Sequence, residues 1–197
     1  MGKISEESVR CAWVSDETLY LDYHDQEWGV PVTDDRELFE MLILEGAQAG
    51  LSWITILRKR ENYRAAFKKF DPYAIIELTD HDVERLMSDE GIIRNRLKIK
   101  SVISNANAWV EIMKAGEGAF CDLIWSVVAG KTIINRWNDL NETPTSTAES
   151  EELSKLLKKK GFKFVGPTIC YAYMQACGMV NDHVTGCFRH EEISPRA

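Results

Sequence analysis

Apolar residues recur along most of the chain at intervals of three and four, the period of an amphipathic helix. Asp34-x-x-Glu37 forms a capping box ahead of Leu38, Met41, Leu42 and Glu45. Ser52 caps a following helix that carries Trp53, Ile54 and Leu57, with Tyr63 and Phe67 beyond. Asp71-Pro72 places a cap before a proline suited to the first helical position. Thr79-x-x-Asp82 opens a short helix that Gly91 ends. From Ile93 to Met113 the positions Leu97, Val102, Ile103, Ala106, Trp109 and Val110 keep helical spacing. A short apolar helix runs from Phe120 to Val128, closed by Gly130. Residues 131–146 hold Asn, Thr and Pro144 and read as a loop and a lobe boundary. Ser146-x-x-Glu149 is a second capping box, opening a helix through Leu153, Leu156 and Leu157 to Lys158-Lys159-Lys160 and Gly161. Pro167 starts a last helix through Ile169, Tyr171, Tyr173 and Met174, ended by Gly178. No alternating pair of segments flanks a tight turn, so the pattern predicts an all-α protein without a sheet.

With 197 residues, 45% of them hydrophobic, the chain can bury one sizeable core or two small helical lobes sharing an interface. The first ten residues carry Lys3, Glu6, Glu7 and Arg10 and no apolar run, which does not match a signal peptide. No stretch is long and apolar enough to span a bilayer. Five irregularly spaced cysteines without an export signal point to reduced thiols and a cytoplasmic location. The formal net charge of −7 argues mildly against a nucleic-acid partner, but DNA touches only one face. Basic clusters exist at Arg58-Lys59-Arg60, at Lys98 with Lys100, and at Lys158 to Lys160 followed by Lys163. Each reads equally as a solvated helix face.

Three constellations carry chemistry. Between the last two helices lies a very short turn, Gly161-Phe162-Lys163-Phe164-Val165-Gly166. Gly166 stands where the second helix begins, and the free N–H groups there suit a phosphate. An ordinary packing corner would look the same. Cys11, His24, His183 and Cys187 form a Cys₂His₂ set. His183-x-x-x-Cys187 puts two ligands one helical turn apart, and Cys11 with His24 would clip the N-terminal segment to the C-terminal one. A closed shell of four would be structural; a buried cysteine and a satisfied histidine are the plain alternative. The remaining thiols, Cys121, Cys170 and Cys177, read as small core residues. Finally, Trp13, Tyr20, Tyr23, Trp28 and Trp53 crowd around one carboxylate, Glu45. Aromatic faces stack a flat base, and a cationic base gains a further attraction. Core packing of the same residues remains open.

Several segments together resemble the DNA-3-methyladenine glycosylase I family. They are Cys11-x-Trp13, Tyr20-x-x-Tyr23-His24-Asp25-x-Glu27-Trp28-Gly29, Leu44-Glu45-Gly46-Ala47-Gln48-Ala49-Gly50-Leu51-Ser52-Trp53, Gly161 to Gly166, and Asn181-Asp182-His183-Val184. The likeness runs from about Cys11 to Cys187. It implies a single glycosylase unit over residues 1–197 with a helix-hairpin-helix DNA glycosylase fold, the hairpin motif over about 147–177. One structural zinc ion would be held by Cys11, His24, His183 and Cys187. The base pocket falls on Tyr20, Tyr23, Glu45 and Trp53, with Glu45 the catalytic candidate. DNA contacts fall on Gln48, Leu51, Lys163, Gly166 and Thr168, with Leu51 as the wedge. Many relatives in the wider superfamily carry a catalytic Asp where this chain has Asn181, one residue before Asp182. Bifunctional relatives carry a lysine where this chain has Thr168. The family shares both departures.

The implied activity is excision of 3-methyladenine from double-stranded alkylated DNA, leaving an abasic site and releasing the free base, by a monomeric bacterial enzyme that meets the nucleoid when acting. An alkyl group on N3 makes the base cationic, so it departs neutral and needs no general acid. Glu45 and Asp182 are the candidates for activating water. A zinc-clipped DNA-binding module without activity is one rival; it would leave no abasic sites in methylated DNA. A small-molecule enzyme with a Glu-and-tryptophan pocket is another; it would show no salt-dependent DNA affinity.

Overall fold

The computed structural model describes residues 9–194. Among them the helices are α1 (Thr18–Gln26), α2 (Asp35–Gln48), α3 (Trp53–Leu57), α4 (Arg60–Ala66), α5 (Pro72–Ile75), α6 (Asp80–Met87), α7 (Arg96–Met113), α8 (Ala119–Trp125), α9 (Ala148–Lys159), α10 (Pro167–Ala176) and α11 (Phe188–Glu192).

Helix α2 is the centre of the fold. From Leu38 to Ala47 every residue except Glu40 is buried. A helix covered on all sides needs neighbours all round, and α3, α7, α8 and α10 supply them. Its start is set locally: the Asp34 carboxylate accepts the N–H groups of Arg36 and Glu37, both at 2.9 Å. Only the Asp34 half of the expected box forms. The next residue, Asp35, caps a different helix, accepting from the N–H groups of Gly118 and Cys121 at the head of α8. Helix α7 begins three residues later than its apolar pattern, because the Asn95 side chain accepts from the Lys98 N–H and fixes the start. Thr79 and Asp82 form a full capping box on α6.

The box ahead of α9 is displaced by one residue from Ser146-x-x-Glu149. Thr147 is the cap and Ser150 the reciprocal partner. Both Ser146 and Thr147 can cap, and Ser150, fully buried, returns the bond while Glu149 is only half-buried. At the other end Lys160 closes the helix and Gly161 follows at φ 96°. Phe162 N–H reaches Leu157 O and Gly161 N–H reaches Lys158 O, both at 3.0 Å, a Schellman ending that requires the left-handed glycine. The turn to α10 is pinned from outside. Asn105 of α7 brackets Lys163, accepting its N–H at 2.8 Å and donating to its carbonyl at 3.1 Å. Ser154 Oγ donates to Val165 O at 2.6 Å. Gly166 caps α10 and Pro167 takes its first position.

The absence of any sheet is corrected by one short feature. Ile133–Ile134 pairs in parallel with Val180–Asn181. Two residues per strand cannot display a period of two, so no sequence pattern marks them. Just before the second strand, Gly178 meets the segment after Trp28. A Cβ there would lie 2.4 Å from Pro31 N and Val30 C, so only glycine lets the two backbones touch. This contact seats residues 29–32 on the end of α10, where Val32 N–H donates to Cys177 O. No helix of the described residues is long and apolar enough to cross a membrane.

Candidate active site

A cavity of about 210 Å³ opens where α1, α2, α3 and α10 converge. Tyr20 and Tyr23 come from α1, Glu45 and Gln48 from α2, Trp53 from the head of α3, and Ala172 and Gln175 from α10. Trp13, Trp28, Leu140, Thr143 and Asp182 complete the wall. The aromatic rings make a continuous lining. Tyr23 lies 5.4 Å from Trp53, and Trp13 lies 5.0 Å from both Tyr20 and Trp28. None of these pairs is a parallel stack, so ring faces remain available to a flat guest.

Glu45 is 3% exposed, and its Oε2 has no hydrogen-bond partner. Burial pushes its carboxyl up to about 8. Two further buried polar atoms without partners line the same cavity, Trp53 Nε1 and Thr143 Oγ1. Buried polar atoms are normally satisfied, so three unpartnered polar atoms lining one cavity suit it to a polar guest.

Asp182 is the opposite case. Its Oδ1 accepts from Asn135 Nδ2 at 2.7 Å and Trp137 Nε1 at 2.8 Å. Its Oδ2 accepts from Tyr171 OH at 2.5 Å and Gln175 Nε2 at 2.7 Å. A carboxylate has about four lone-pair sites, and all are in use. Asp182 is therefore held in a fixed orientation in the wall by four donors. Its neighbour Asn181 turns away from the cavity. That side chain donates to His190 O and Ser194 Oγ and accepts from His183 N–H, tying down the C-terminal segment.

Cys11, His24, His183 and Cys187 meet in one buried cluster, their ligand atoms all within 4.8 Å of one another. The cluster could hold a metal ion. Cys187 Sγ lies 3.4 Å from His24 Nε2 and 3.5 Å from His183 Nδ1, and Cys11 Sγ lies 3.5 Å from His183 Nδ1. The outward nitrogens are also engaged. His24 Nδ1 meets Asp25 Oδ1 at 2.7 Å, and Asp25 is gripped by Arg10; His183 Nε2 meets Trp28 O at 3.0 Å. Such outer bonds fix ring orientation at metal sites. The helical reading of His183-x-x-x-Cys187 is corrected. The two residues sit on a turn closed by Cys187 N–H to Val184 O, and Cys187 caps α11.

The remaining predicted residues lie outside the cavity. Leu51 is 39% exposed, at the tip of the α2–α3 connection between the cavity residues Gln48 and Trp53. Lys163 and Thr168 are exposed on and beside the α9–α10 turn, with Gly166 between them. Two of the three basic clusters are consumed internally. Arg58 pairs with Glu17, Arg60 with Glu27 and Glu40, Lys59 donates to Glu90 O, and Lys100 pairs with Asp80. Lys158, Lys159 and Lys160 are exposed at the end of α9.

The pattern of the methyladenine glycosylase family matches residues 13–190. The chain belongs to the methyladenine glycosylase family. It is 58% identical over 178 residues to DNA-3-methyladenine glycosylase 1 of Escherichia coli (strain K12), covering 90% of this chain and 95% of that one. A crystal structure of 3-methyladenine DNA glycosylase I superposes with a TM-score of 0.90 at 59% identity, over 91% of this chain and 98% of the other. A Staphylococcus aureus 3-methyladenine DNA glycosylase I, solved to define 3-methyladenine recognition, superposes at 0.88 with 35% identity, over 95% and 97%. This chain is thus a mostly helical glycosylase. The sequence groups Trp13, Tyr20, Tyr23, Trp28 and Trp53 around Glu45, and all six line one cavity; Gln48, expected as a DNA contact, lines it as well. Sequence reasoning missed Leu140, Thr143, Ala172 and Gln175 as lining residues of this methyladenine glycosylase. Gln175 carried a faint signal, a polar residue within an otherwise apolar helix. Leu140 and Thr143 carried none.

Proposed function

We infer that this chain is a base excision repair enzyme that hydrolyses the N-glycosidic bond of 3-methyladenine in alkylated double-stranded DNA, releasing the free base and leaving an abasic site. The observation that carries this reading is Glu45, a buried carboxylate with an unpartnered oxygen inside an aromatic cavity. Extrusion of the nucleotide costs a few kcal/mol of unstacking, least for a damaged base. Tyr20, Tyr23 and Trp53 supply faces for the base, and a cationic ring is held more firmly by them than neutral adenine. Glu45 in its ionised form accepts from the exocyclic amine and balances the ring's charge. As the bond breaks the base becomes neutral and positive charge moves to the sugar, where the Glu45 carboxylate, the DNA phosphates and the aromatic faces stabilise it. Glu45 Oε2 has no hydrogen-bond partner, whereas both oxygens of Asp182 are engaged by protein donors, so Glu45 is the carboxylate that meets the base. Incubating the purified chain with methylated duplex and identifying the released base tests the reading directly; a product other than 3-methyladenine, or none, sinks it.

The enzyme acts as a monomer, and the whole chain is one glycosylase unit with its helix-hairpin-helix over about 147–177. Support for the hairpin as phosphate anchor comes from the open space around Gly166, the free N–H groups of the first turn of α10, and exposed Lys158 to Lys160 and Lys163. The metal is structural zinc, one per chain. A tetrahedral shell with zinc–sulfur near about 2.3 Å and zinc–nitrogen near about 2.0 Å sets sulfur and nitrogen about 3.5 Å apart. The sulfur–nitrogen separations of 3.4–3.5 Å agree with that shell. Four protein ligands leave no open position for chemistry, and the ion clips residues 11–24 to 183–187.

Two outcomes follow. Among the described residues no lysine lines the cavity, and the resemblance puts Thr168 at the position of the Schiff-base lysine of bifunctional relatives. The product is expected to be an intact abasic site, and borohydride should trap no protein–DNA adduct; a trapped adduct contradicts monofunctional chemistry. The second concerns pH. With Glu45 pushed up to about 8 and its ionised form the working one, kcat/KM should rise as pH climbs through about 8. A profile flat from pH 6 to about 9 would remove Glu45's charge from the mechanism.

A further inference from the structure

Lys98 looks at first like a DNA-facing cation, but its ammonium points inward. From the first turn of α7, Nζ donates to Ala47 O at 2.8 Å and to Ala49 O at 2.7 Å. Those carbonyls belong to the end of α2, where helix carbonyls lack intrahelical partners and the helix dipole favours a cation. No carboxylate pairs with this ammonium among the described residues. Its two carbonyl bonds persist although burial lowers its affinity for a proton. Beyond Ala49 the chain turns sharply. Gly50 has φ 79°, Leu51 N–H returns to Gln48 O at 2.7 Å, and Ser52 caps α3. The exposed Leu51 is thus carried on a four-residue connection between Gln48 and Trp53, both of which are walls of the cavity. Among the described side chains that bond this connection, Lys98 alone reaches it from another part of the fold.

We propose that Lys98 is a positioning residue, whose ammonium clamps Ala47 and Ala49 so that Leu51 is held rigidly at the cavity mouth to fill the space left by an extruded nucleotide. The inference rests on the base-excision reading. An apolar side chain can replace a lost stacking partner only if its own position is fixed beforehand, since ordering it during extrusion would add to the barrier. Two hydrogen bonds from a charged donor provide that fixing.

The test compares wild type, Lys98→Met, Lys98→Arg, Leu51→Ala and the double variant Lys98→Met/Leu51→Ala. Three quantities are measured on each: the saturating single-turnover rate of 3-methyladenine release from methylated duplex, the affinity for free 3-methyladenine, and the affinity for undamaged duplex against salt. Lys98→Met is expected to lower the release rate about tenfold while free-base affinity stays at the wild-type level, with Lys98→Arg recovering part of the loss. The double variant is expected to be no slower than Leu51→Ala, because the clamp acts only through the side chain already removed. A general folding defect would instead weaken free-base binding too, and its effect would add to that of Leu51→Ala. Either result overturns the proposal. A loss of undamaged-duplex affinity with a salt slope reduced by about one unit would make Lys98 a phosphate ligand and overturn it as well. Should Leu51→Ala itself release base at the wild-type rate, the wedge is wrong and the clamp falls with it. Should wild type release no 3-methyladenine, the base-excision reading fails first, which is a separate result.

Discussion

Replacing Cys187 by serine should release the metal and lower the melting temperature before it alters any contact in the cavity. Cys187 touches both histidines of the cluster and caps α11, whereas the cavity walls are built by other residues. The binding energy of a structural zinc ion in small domains is on the order of 10 kcal/mol, so losing the ion removes stability of up to that order. In a chain of this size each kcal/mol is worth roughly 2–4 °C, so a drop of more than about 10 °C is expected. Serine keeps the volume and the cap geometry, so the drop reports ligation and not packing. The segments most affected are those the cluster joins, residues 11–24 and 183–187. Wild type stripped with a chelator should melt near the variant, and added zinc should restore wild type alone. Metal analysis that finds no zinc in wild type, or a variant that melts with wild type, removes the structural metal from the account. Activity at low temperature should survive in part, since Glu45 and Trp53 sit on α2 and α3 and are supported by the core.

The parts of this molecule that were legible in the sequence are those decided within one helical turn. Asp34 and Thr79 cap helices through their own neighbours, so their residue types announce them. The Schellman ending at Gly161 is equally local. The Cys₂His₂ set was legible for another reason: few residue types bind metals, and four of them stood out at both ends of the chain. Misreadings begin where the deciding contact is remote. Thr147 displaces Ser146 as cap because Ser150 is the residue drawn into the core. His183 and Cys187 meet the cluster through a turn, which the four-residue spacing cannot tell from a helix. The donors around Asp182 come from residues 135, 137, 171 and 175, two of them in the loop that had no periodicity at all. That loop reads as featureless because its role is to bring Trp137, Leu140 and Thr143 to a wall made elsewhere. The basic clusters show the same limit. Their composition suggested DNA, but the partners of Arg58, Arg60 and Lys98 lie 20 to 51 residues away in sequence.

Glu45→Gln should nearly abolish excision while removing a pH-dependent weakness from the fold. In the proposed mechanism Glu45 is the group that distinguishes a cationic base from adenine, and glutamine keeps its shape without its charge. Its NH₂ would also face the donor of the base. A charge-assisted hydrogen bond lost in a buried site lowers the rate by on the order of 100-fold. Trp53→Ala removes one stacking face, worth about 1–3 kcal/mol, and should weaken free-base binding to match. The Glu45 carboxyl is pushed up to about 8 by burial, so the folded state favours its protonated form. Its contribution is fully present below the usual carboxylate range and is lost as pH rises through about 8. Between pH 5 and 9 the wild-type fold should therefore lose roughly 4 kcal/mol that Glu45→Gln does not lose. Tyr23 and Cys177, the nearest titratable neighbours, are themselves held neutral by burial, so they do not rescue the charge. Urea unfolding of both proteins at the two pH values measures the difference directly, with excision assayed on the same preparations. Equal pH dependence in the two proteins would mean that Glu45 is ionised at little cost. Unchanged excision by Glu45→Gln would move the base pocket elsewhere. The two losses together identify one residue as the recognition group and as the strained element of the core, a trade that a purely structural carboxylate would have no reason to make.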